Sequence, residues 1–277
     1  MQARRVSELS ALQNEILESV AKGVPFATVA DTLCRRAEAL APGACCTIAS
    51  IDSAGLIHPV AGPSLPQTYG EAIEGLPIGP KVGSCGTAAY LGTPVEVTDI
   101  ATDPLWEGFT ELVLPLGLKA CWSSPIKSAE GRVVGTFAFY YRETRGPSDL
   151  ERQLVDTCVH LCSIAIERDE DSRRLKHLAY HDQLTGLSNR YAFNERVADS
   201  MSSPPQSFGL LMLDIDNMKL VNDSMGHSVG DAMIREVGNR LASAGKEITV
   251  YRLGGDEFAV ICARCSDSEK LAALARR

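Results

Sequence analysis

The fold of the C-terminal part of the chain is decided by one stretch, Tyr251-Arg252-Leu253-Gly254-Gly255-Asp256-Glu257-Phe258-Ala259-Val260-Ile261. Two apolar runs, 248–253 and 258–262, flank a Gly-Gly pair and two carboxylates, a pattern that predicts a β-hairpin with acids at its turn. Glycines allow a sharp turn and let a large ligand approach the backbone. The carboxylates therefore lie at a strand end, where a cation can be held.

A second acidic strand end lies upstream. The apolar run 208–213 predicts a buried central strand, and it ends in Asp214-Ile215-Asp216. If the two strand ends meet, their carboxylates suit Mg²⁺, which binds one or two carboxylates and completes its shell with water and phosphate oxygens. Each half alone also fits an ordinary turn, so the prediction depends on the residues between them.

Four motifs occur in a fixed order in this region. They are His181-Asp182-Gln183-Leu184-Thr185-Gly186-Leu187-Ser188-Asn189-Arg190, Asp214-Ile215-Asp216-Asn217-Met218-Lys219-Leu220-Val221-Asn222-Asp223, the pairs Gly226-His227 and Gly230-Asp231, and the Gly-Gly hairpin. Their order and spacing resemble the GGDEF domain of diguanylate cyclases over about 180–262. The resemblance implies a ferredoxin-like α/β fold, similar to palm-type polymerases, with acids at strand ends.

The resemblance also implies a reaction, in which two GTP molecules become cyclic di-GMP and pyrophosphate is released. It makes Asp214 and Asp256 the carboxylates that hold Mg²⁺ or Mn²⁺, with the carbonyl of Ile215. Glu257 becomes a further metal or proton-handling acid, and Arg252 steadies developing charge. The implied substrate contacts are Asn222 and Asp231 for guanine, Lys219 for phosphates, and Gly254 and Gly255 in the hairpin.

The sequence departs from the family pattern in three places. Met218 stands where Phe is usual, which is a tolerable apolar exchange. Gly245-Lys246-Glu247-Ile248 occupies the position of the Arg-x-x-Asp inhibitory site, so product feedback through that site is not expected. The chain ends at Arg277, before the further helices and strands of the family domain. We therefore expect a C-terminally truncated domain, with a downstream domain missing from this chain.

Length and composition limit the function classes. At 277 residues the chain is predicted to form two domains, and its net charge of −8 argues against nucleic-acid or anionic-membrane binding. No run of 18 apolar residues predicts a transmembrane helix. The nine cysteines show no paired Cys-x-x-Cys zinc motif. We expect a cytoplasmic protein with reduced thiols.

The N-terminal half is predicted to have an α+β layout of outer helices and an inner antiparallel sheet. Its motifs are Gly83-Ser84-Cys85-Gly86-Thr87-Ala88-Ala89, Val97-Thr98-Asp99-Ile100, Asp103-Pro104-Leu105-Trp106, Ala120-Cys121-Trp122-Ser123-Ser124-Pro125-Ile126 and Gly135-Thr136-Phe137-Ala138. They resemble a GAF domain, which implies a small-molecule sensor with its ligand between the sheet and the covering loops. The resemblance does not identify the ligand.

The candidate pocket residues are Cys85, Trp106, Cys121 and Trp122. Each has a plainer alternative. The glycine-rich stretch before a helix suits an anion or is a tight turn, and the tryptophans stack on a planar ligand or pack in the core. Cys85 and Cys121 are a candidate redox pair, as in GAF proteins that reduce free methionine sulfoxide. The further cysteine of those proteins is absent from 100–119.

The expected domain order is an N-terminal signalling helix (1–23), the GAF domain (24–147), a connector helix (148–179) and the GGDEF domain (180–277). Apolar residues at spacings of three and four in the connector predict either a solvated helix or a parallel coiled coil that makes a homodimer. The predicted seam residues are Leu154, Cys158, Leu161, Ala165, Leu175 and Ala179. Two functions remain open: a sensor-gated diguanylate cyclase, or an inactive GTP-binding GGDEF module that regulates a partner.

Overall fold

A computed structural model describes residues 2–201, 207–245, 247–263 and 268–275. The chain divides into two compact units, the first ending at Asp171 and the second beginning at Ser172, and each is described by itself. Lys246, part of the altered inhibitory-site stretch, lies outside the described residues. In the described residues no helix is both long and apolar enough to cross a membrane.

The first unit alternates helices with the strands of one sheet. Its helices are α1 (Gln2–Ala21), α2 (Phe26–Leu40), α3 (Gln67–Ile73), α4 (Gly83–Leu91), α5 (Thr110–Val113) and the start of α6 (Asp149–Tyr180). Its strands are β1 (Ala44–Ile51), β2 (Leu56–Ala61), β3 (Leu76–Pro77), β4 (Val95–Val97), β5 (Ala120–Lys127) and β6 (Val133–Tyr141).

The described strands of this unit form one antiparallel sheet in the order β3-β2-β1-β6-β5-β4. Strand β6 lies at its centre and pairs with both β1 and β5, so that Phe137 faces Ile48 on one side and Ser124 on the other. Both faces are covered, which explains why β1, β5 and β6 are almost continuously buried rather than alternating. The antiparallel α+β architecture expected from the sequence is confirmed.

The two faces of this sheet carry separate cores. One face packs against α1, α2 and α6, and its core includes Trp122 and the buried cysteines Cys34, Cys46, Cys158 and Cys162. The other face packs against α4, α5 and the loops around them, and its core includes Trp106, Cys121 and Tyr140. Side chains on successive residues of a strand point to opposite faces, so Cys121 and Trp122 belong to different cores.

The first half of α6 is part of the first core. Leu154 and Leu161 are 1% and 2% exposed, and Cys158 and Ala165 lie in the same cluster. The prediction that these four residues form an intermolecular seam is wrong, because they already pack against the sheet and helices of their own unit. Farther along α6, Leu175 is 64% exposed and Leu178 is 43% exposed.

The second unit is a smaller sheet with helices on both faces. Its helices are α7 (Arg190–Met201), α8 (Met218–Met225), α9 (His227–Ser243) and α10 (Ser268–Ala275), and its strands are β7 (Ser188–Asn189), β8 (Phe208–Asp214), β9 (Ile248–Gly254) and β10 (Glu257–Ala263). The strand order in the described residues is β7-β9-β10-β8. Phe258 and Val260 pack on one face with Met218 and Ile234, while Ala259 and Ile261 pack on the other with α7.

Strand β8 differs from its prediction as a buried central strand. Among the described strands it lies at the sheet edge and pairs only with β10. Leu211 and Leu213 face the core, whereas Leu210 and Met212 are 42% and 59% exposed. The apolar run was therefore correctly assigned as a strand but incorrectly assigned as buried on both faces, because the described residues cover only one face at these positions.

Gly135 in β6 provides a test of the packing in the first unit. A β-carbon at this position would lie 2.6 Å from the backbone oxygen of Ala49 in β1, an atom that the strand pairing holds in place. We expect Gly135→Ala to destabilise the first unit by ~1–3 kcal/mol, the usual cost of overpacking, measured as a lower thermal midpoint. Gly70→Ala in α3 is the matched control, since its β-carbon would meet only ordinary contacts. Equal midpoints for the two variants would contradict the close approach.

Candidate functional site

The hairpin of β9 and β10 turns at Gly254 and Gly255. Their φ angles are +137° and +53°, backbone conformations that residues with a β-carbon rarely adopt, so the turn requires this pair. The predicted hairpin is confirmed, with Asp256 at the turn and Glu257 as the first residue of β10. The two predicted substrate-binding glycines therefore form the exposed end of the sheet.

The pairing of β10 with β8 brings the two acidic strand ends together. Glu257 lies opposite Asp214 in the antiparallel register. Just beyond the strands, the Ile215 amide donates a hydrogen bond of 3.2 Å to the Asp256 carbonyl. Asp214, Ile215 and Asp256, which the sequence assigned to the metal, therefore meet at one end of the sheet.

The carboxylates at this end repel one another. Partial desolvation raises the pKa of Asp214, and the negative charges of Asp256, Asp216 and Glu257 raise it further. A group of hard oxygen donors under mutual repulsion fits a divalent cation such as Mg²⁺. In the described residues no group of three or more His, Cys, Asp or Glu has metal-holding geometry.

Arg252 lies on β9 beside the hairpin, where its guanidinium is engaged in internal contacts. It donates a 2.8 Å hydrogen bond to Asp182 Oδ1 and bonds of 2.8 and 3.2 Å to the Gly255 carbonyl. The side chain is only 11% exposed. This arrangement gives Arg252 a positioning function, because it ties the hairpin turn to the segment that enters the domain.

Arg190 is the residue that the sequence analysis missed. It opens α7, donates a 2.7 Å hydrogen bond to the Leu253 carbonyl and places a second nitrogen 3.0 Å from Glu257 Oε2. It therefore places a positively charged guanidinium group at the acidic end of the sheet. Its position at the end of the motif 181–190 was the one sign in the sequence that Arg190 has a role. Nothing in that motif indicates that its partner is the hairpin.

The predicted substrate-binding residues of α8 and α9 lie on neighbouring helices. Lys219 is exposed in the first turn of α8, and Asn222 lies one turn later. The Asn222 side-chain oxygen fills the space that a β-carbon on Gly230 would need, so Asn222 lies directly beside the residue that precedes Asp231. Asn222 and Asp231, each half-buried, are thus brought to one place by the α8–α9 pair.

The first unit contains a cavity of about 350 Å³ between β1, β2, α3 and the start of α4. Cys85 and Trp106 line it, as predicted, together with Tyr69 and Tyr140. Cys121 lies next to the cavity in the core of the same sheet face. Trp122 does not belong to it, because strand alternation places this ring on the opposite face, in the core that contacts α6.

Hydrogen bonds fix the residues at the cavity floor. The Trp106 indole nitrogen donates to Ser84 Oγ at 3.2 Å, and Ser84 Oγ donates to the Cys121 carbonyl at 3.5 Å. The Tyr69 and Tyr140 hydroxyls are 2.6 Å apart, and the Tyr140 hydroxyl is 3.6 Å from the Cys85 sulfur. These bonds hold Trp106 in place as part of the cavity lining, so its ring is not free to close on a ligand.

Comparison with known families agrees with this division of the chain. Residues 24–167 match the family described as GAF domain, and residues 179–277 match the family described as Diguanylate cyclase, GGDEF domain. The fold of the first unit is also similar to the GAF domain of a phosphoenolpyruvate-protein phosphotransferase from Coxiella burnetii. That similarity has a TM-score of 0.50 and 16% identity, covering 60% of this chain and 98% of the other.

Two curated relatives illustrate the similarity in sequence. The methyl sulfide methyltransferase-associated sensor of Methanosarcina acetivorans is 38% identical over 229 residues, 82% of this chain and 22% of that protein. Diguanylate cyclase DgcN of Escherichia coli is 45% identical over 91 residues, 32% of this chain and 22% of that protein. The chain thus spans about a fifth of the length of each.

The chain is a signalling protein that combines a GAF domain with a GGDEF domain. It belongs to the GAF family, and its GAF domain is followed by a GGDEF domain of the diguanylate cyclase family.

The contact between Asp182 and Arg252 provides a test of the site's framework. Partial burial raises the pKa of Asp182, but hydrogen bonds from Arg252 and Thr185 outweigh it and leave the pKa below its ordinary value. A depressed pKa contributes stability that is present above the unfolded value of about 3.9 and is lost as the pH falls through the folded value. We expect Asp182→Asn to lower the unfolding free energy of the GGDEF domain by ~1–3 kcal/mol at neutral pH.

The measurement is denaturant unfolding of both proteins across a pH series. The difference between them shrinks below about pH 4, where the wild-type carboxylate takes up its proton. Glu236→Gln is the matched control, since Glu236 pairs with Arg240 on the exposed surface of α9. A difference that stays constant with pH would show that the charge of Asp182 is not what stabilises the contact.

Proposed function

We propose that this chain carries the catalytic half-site of a sensor-gated diguanylate cyclase, which acts in the cytoplasm and condenses two GTP molecules into cyclic di-GMP. The observation that carries the proposal is the pairing of β8 with β10, which brings Asp214 opposite Glu257 and ties Ile215 to Asp256. Diguanylate cyclase relatives support the same reaction class.

Asp214, Asp256 and the Ile215 carbonyl are the groups that would hold Mg²⁺ or Mn²⁺. When bound, the metal favours ionisation of the attacking 3′-hydroxyl and offsets the charge of the departing pyrophosphate. Glu257, held by Arg190 at 3.0 Å, supplies a further carboxylate for the metal or for the proton of that hydroxyl. Arg252 acts indirectly, because its bonds to the Gly255 carbonyl fix the turn that carries Asp256.

Asn222 and Asp231 are proposed to read the guanine base. A carboxylate accepts hydrogen bonds from N1–H and the exocyclic amine of guanine, groups that adenine does not present in this arrangement. Their placement on the adjacent helices α8 and α9 supports one shared ligand edge. Lys219, exposed in the first turn of α8, is proposed to meet the phosphates as a point charge.

Ring closure requires two half-sites that face each other, each with one GTP, so the active form is proposed to be a homodimer. Leu175 and Leu178, which are exposed near the C-terminal end of α6, are proposed to form the dimer contact. A ligand in the GAF cavity is proposed to regulate the cyclase through α6.

The second candidate function is a GTP-binding module without turnover. It would use the same site and would differ only in catalysis.

The first prediction tests the metal site. Asp256→Asn removes one of the two metal-binding carboxylates while keeping the size of the side chain. We expect cyclic di-GMP formation from GTP and Mg²⁺ to fall at least about a hundredfold, the scale of losing one electrostatic group from an active site. Asp199→Asn, an equal charge change on exposed α7, should leave the rate unchanged.

The result separates the two candidate functions. Turnover in the parent that is lost in Asp256→Asn identifies a cyclase. GTP binding without turnover in the parent identifies the binding module. Turnover at the parent rate in Asp256→Asn would show that the metal assignment is wrong.

The second prediction tests assembly. Replacing Leu175 and Leu178 with Asp places like charges on the exposed face of α6, where a dimer would have to bury them. We expect monomers in sedimentation, retained GTP binding and loss of cyclase activity. Lys176→Asp, on another face of the same turn, is the matched control and should remain dimeric. A double variant that stays dimeric would place the contact elsewhere on the chain.

A further inference from the structure

Cys85 differs from the four cysteines in the core on the opposite face of the sheet. It lines the GAF cavity and is only partly buried, whereas Cys34, Cys46, Cys158 and Cys162 are sealed in the core on the opposite face of the sheet. Burial raises the pKa of Cys46, Cys158 and Cys162, which keeps these thiols protonated, and none of the three lines the cavity. A cavity-lining cysteine is instead open to a small reactant that enters the cavity.

Polar groups around Cys85 favour its ionised form. The interaction with Cys121 is the largest contribution, and together with the neighbouring hydroxyls of Ser123, Tyr140 and Thr136 it outweighs burial and lowers the pKa of Cys85 to about 7. The partner shifts in the opposite direction, since burial and the neighbouring Cys85 raise the pKa of Cys121 well above its ordinary value. Cys85 packs against the core that contains Cys121, and Ser84, the residue before Cys85, donates a 3.5 Å hydrogen bond to the Cys121 carbonyl. The pair therefore consists of an ionisable thiol at the cavity and a protonated thiol behind it.

The hydroxyl of Ser123 is a second observation at the same place. Ser123 is completely buried, and its Oγ makes no hydrogen bond within the part of the chain that the structure describes. It nevertheless lies close enough to Cys85 to contribute to the lowered pKa of that thiol. A buried hydroxyl without a partner is costly, and an oxygen atom added to the Cys85 sulfur would give it one.

The cavity lining limits the reactant. Among its residues there is no Lys, Arg or His, and the charged side chains that reach it are the carboxylates of Glu71 and Glu74. Anionic ligands are therefore disfavoured. The cavity has a volume of about 350 Å³ and apolar walls, which suit a small neutral molecule. A hydroperoxide is neutral, fits this space and reacts with thiolates rather than thiols.

We propose that Cys85 is a peroxide-reactive thiol of the GAF cavity and that Cys121 captures its oxidised form as a disulfide. In the first step the Cys85 thiolate attacks the peroxide, an S–O bond forms, the O–O bond breaks, and an alcohol or water leaves after taking up a proton. In the second step the Cys121 sulfur attacks the Cys85 sulfenic acid, and hydroxide leaves with the Cys121 proton as water. Two thiols thus lose two electrons to one peroxide.

The first experiment maps the reaction on the full chain. The protein is treated with limiting hydrogen peroxide near neutral pH, free thiols are blocked, and peptides are identified by mass spectrometry. We expect loss of the Cys85 and Cys121 thiols together, a peptide in which the two are joined, and recovery of both thiols with a dithiol reductant. Oxidation of any other cysteine first, or no reaction at all, would overturn the proposal.

Variants separate attack from capture. Cys121→Ser should leave a sulfenic acid at Cys85 that a carbon nucleophile such as dimedone traps. Cys85→Ser should protect Cys121 and slow thiol loss by at least about tenfold. Cys45→Ala, a change in the same core on the same sheet face, is the control and should behave as the parent. Unchanged disulfide formation in Cys85→Ser would contradict the assignment.

A variant of Ser123 tests the geometry without removing a thiol. Ser123→Ala is expected to reduce the trapped sulfenic acid in the Cys121→Ser background, because the oxygen on Cys85 loses its donor. Circular dichroism checks that the variants remain folded. This inference concerns the GAF cavity alone, so its outcome is independent of whether the second unit makes cyclic di-GMP.

Discussion

The antiparallel pairing of β10 with β8 is the constraint on which the GGDEF domain depends. The two strands come from distant parts of the sequence, yet their register places Glu257 opposite Asp214 and joins Ile215 to Asp256. A shift of one residue would turn Phe258 and Val260 out of the core, so burial of these side chains enforces the register. The energy of the apolar core is thereby used to hold mutually repelling carboxylates together.

The same principle operates in the GAF half with a different result. Strand alternation separates residues that are adjacent in sequence, and it puts Cys121 behind the cavity while Trp122 faces α6. Residues far apart in sequence meet instead, as when Tyr69, Cys85 and Tyr140 form one hydrogen-bonded set. The chemistry of the cavity therefore follows from which face of the sheet each side chain occupies.

Much of this architecture could be predicted from the sequence, because the decisive signals are local. The Gly-Gly pair fixes the hairpin, and the unbroken apolar run 208–213 marks β8. The wrong predictions concern which groups pack against an element. Strand β8 is exposed on one face of the described sheet, and Leu154 and Leu161, which were assigned to an intermolecular seam, are buried within their own domain. Arg190 was missed because its partner Leu253 lies 63 residues away, a pairing that only the folded sheet creates.

The hydrogen bond between Arg252 and Asp182 connects the hairpin mechanically to the segment that follows α6. Helix α6 ends at Tyr180, Asp182 follows two residues later, and Arg252 carries the connection on to the Gly255 carbonyl. A displacement or twist applied at the end of α6 therefore reaches the turn through charge-assisted hydrogen bonds rather than through a flexible tether. Small movements of the C-terminal end of α6 are therefore transmitted directly to the acidic turn of the hairpin.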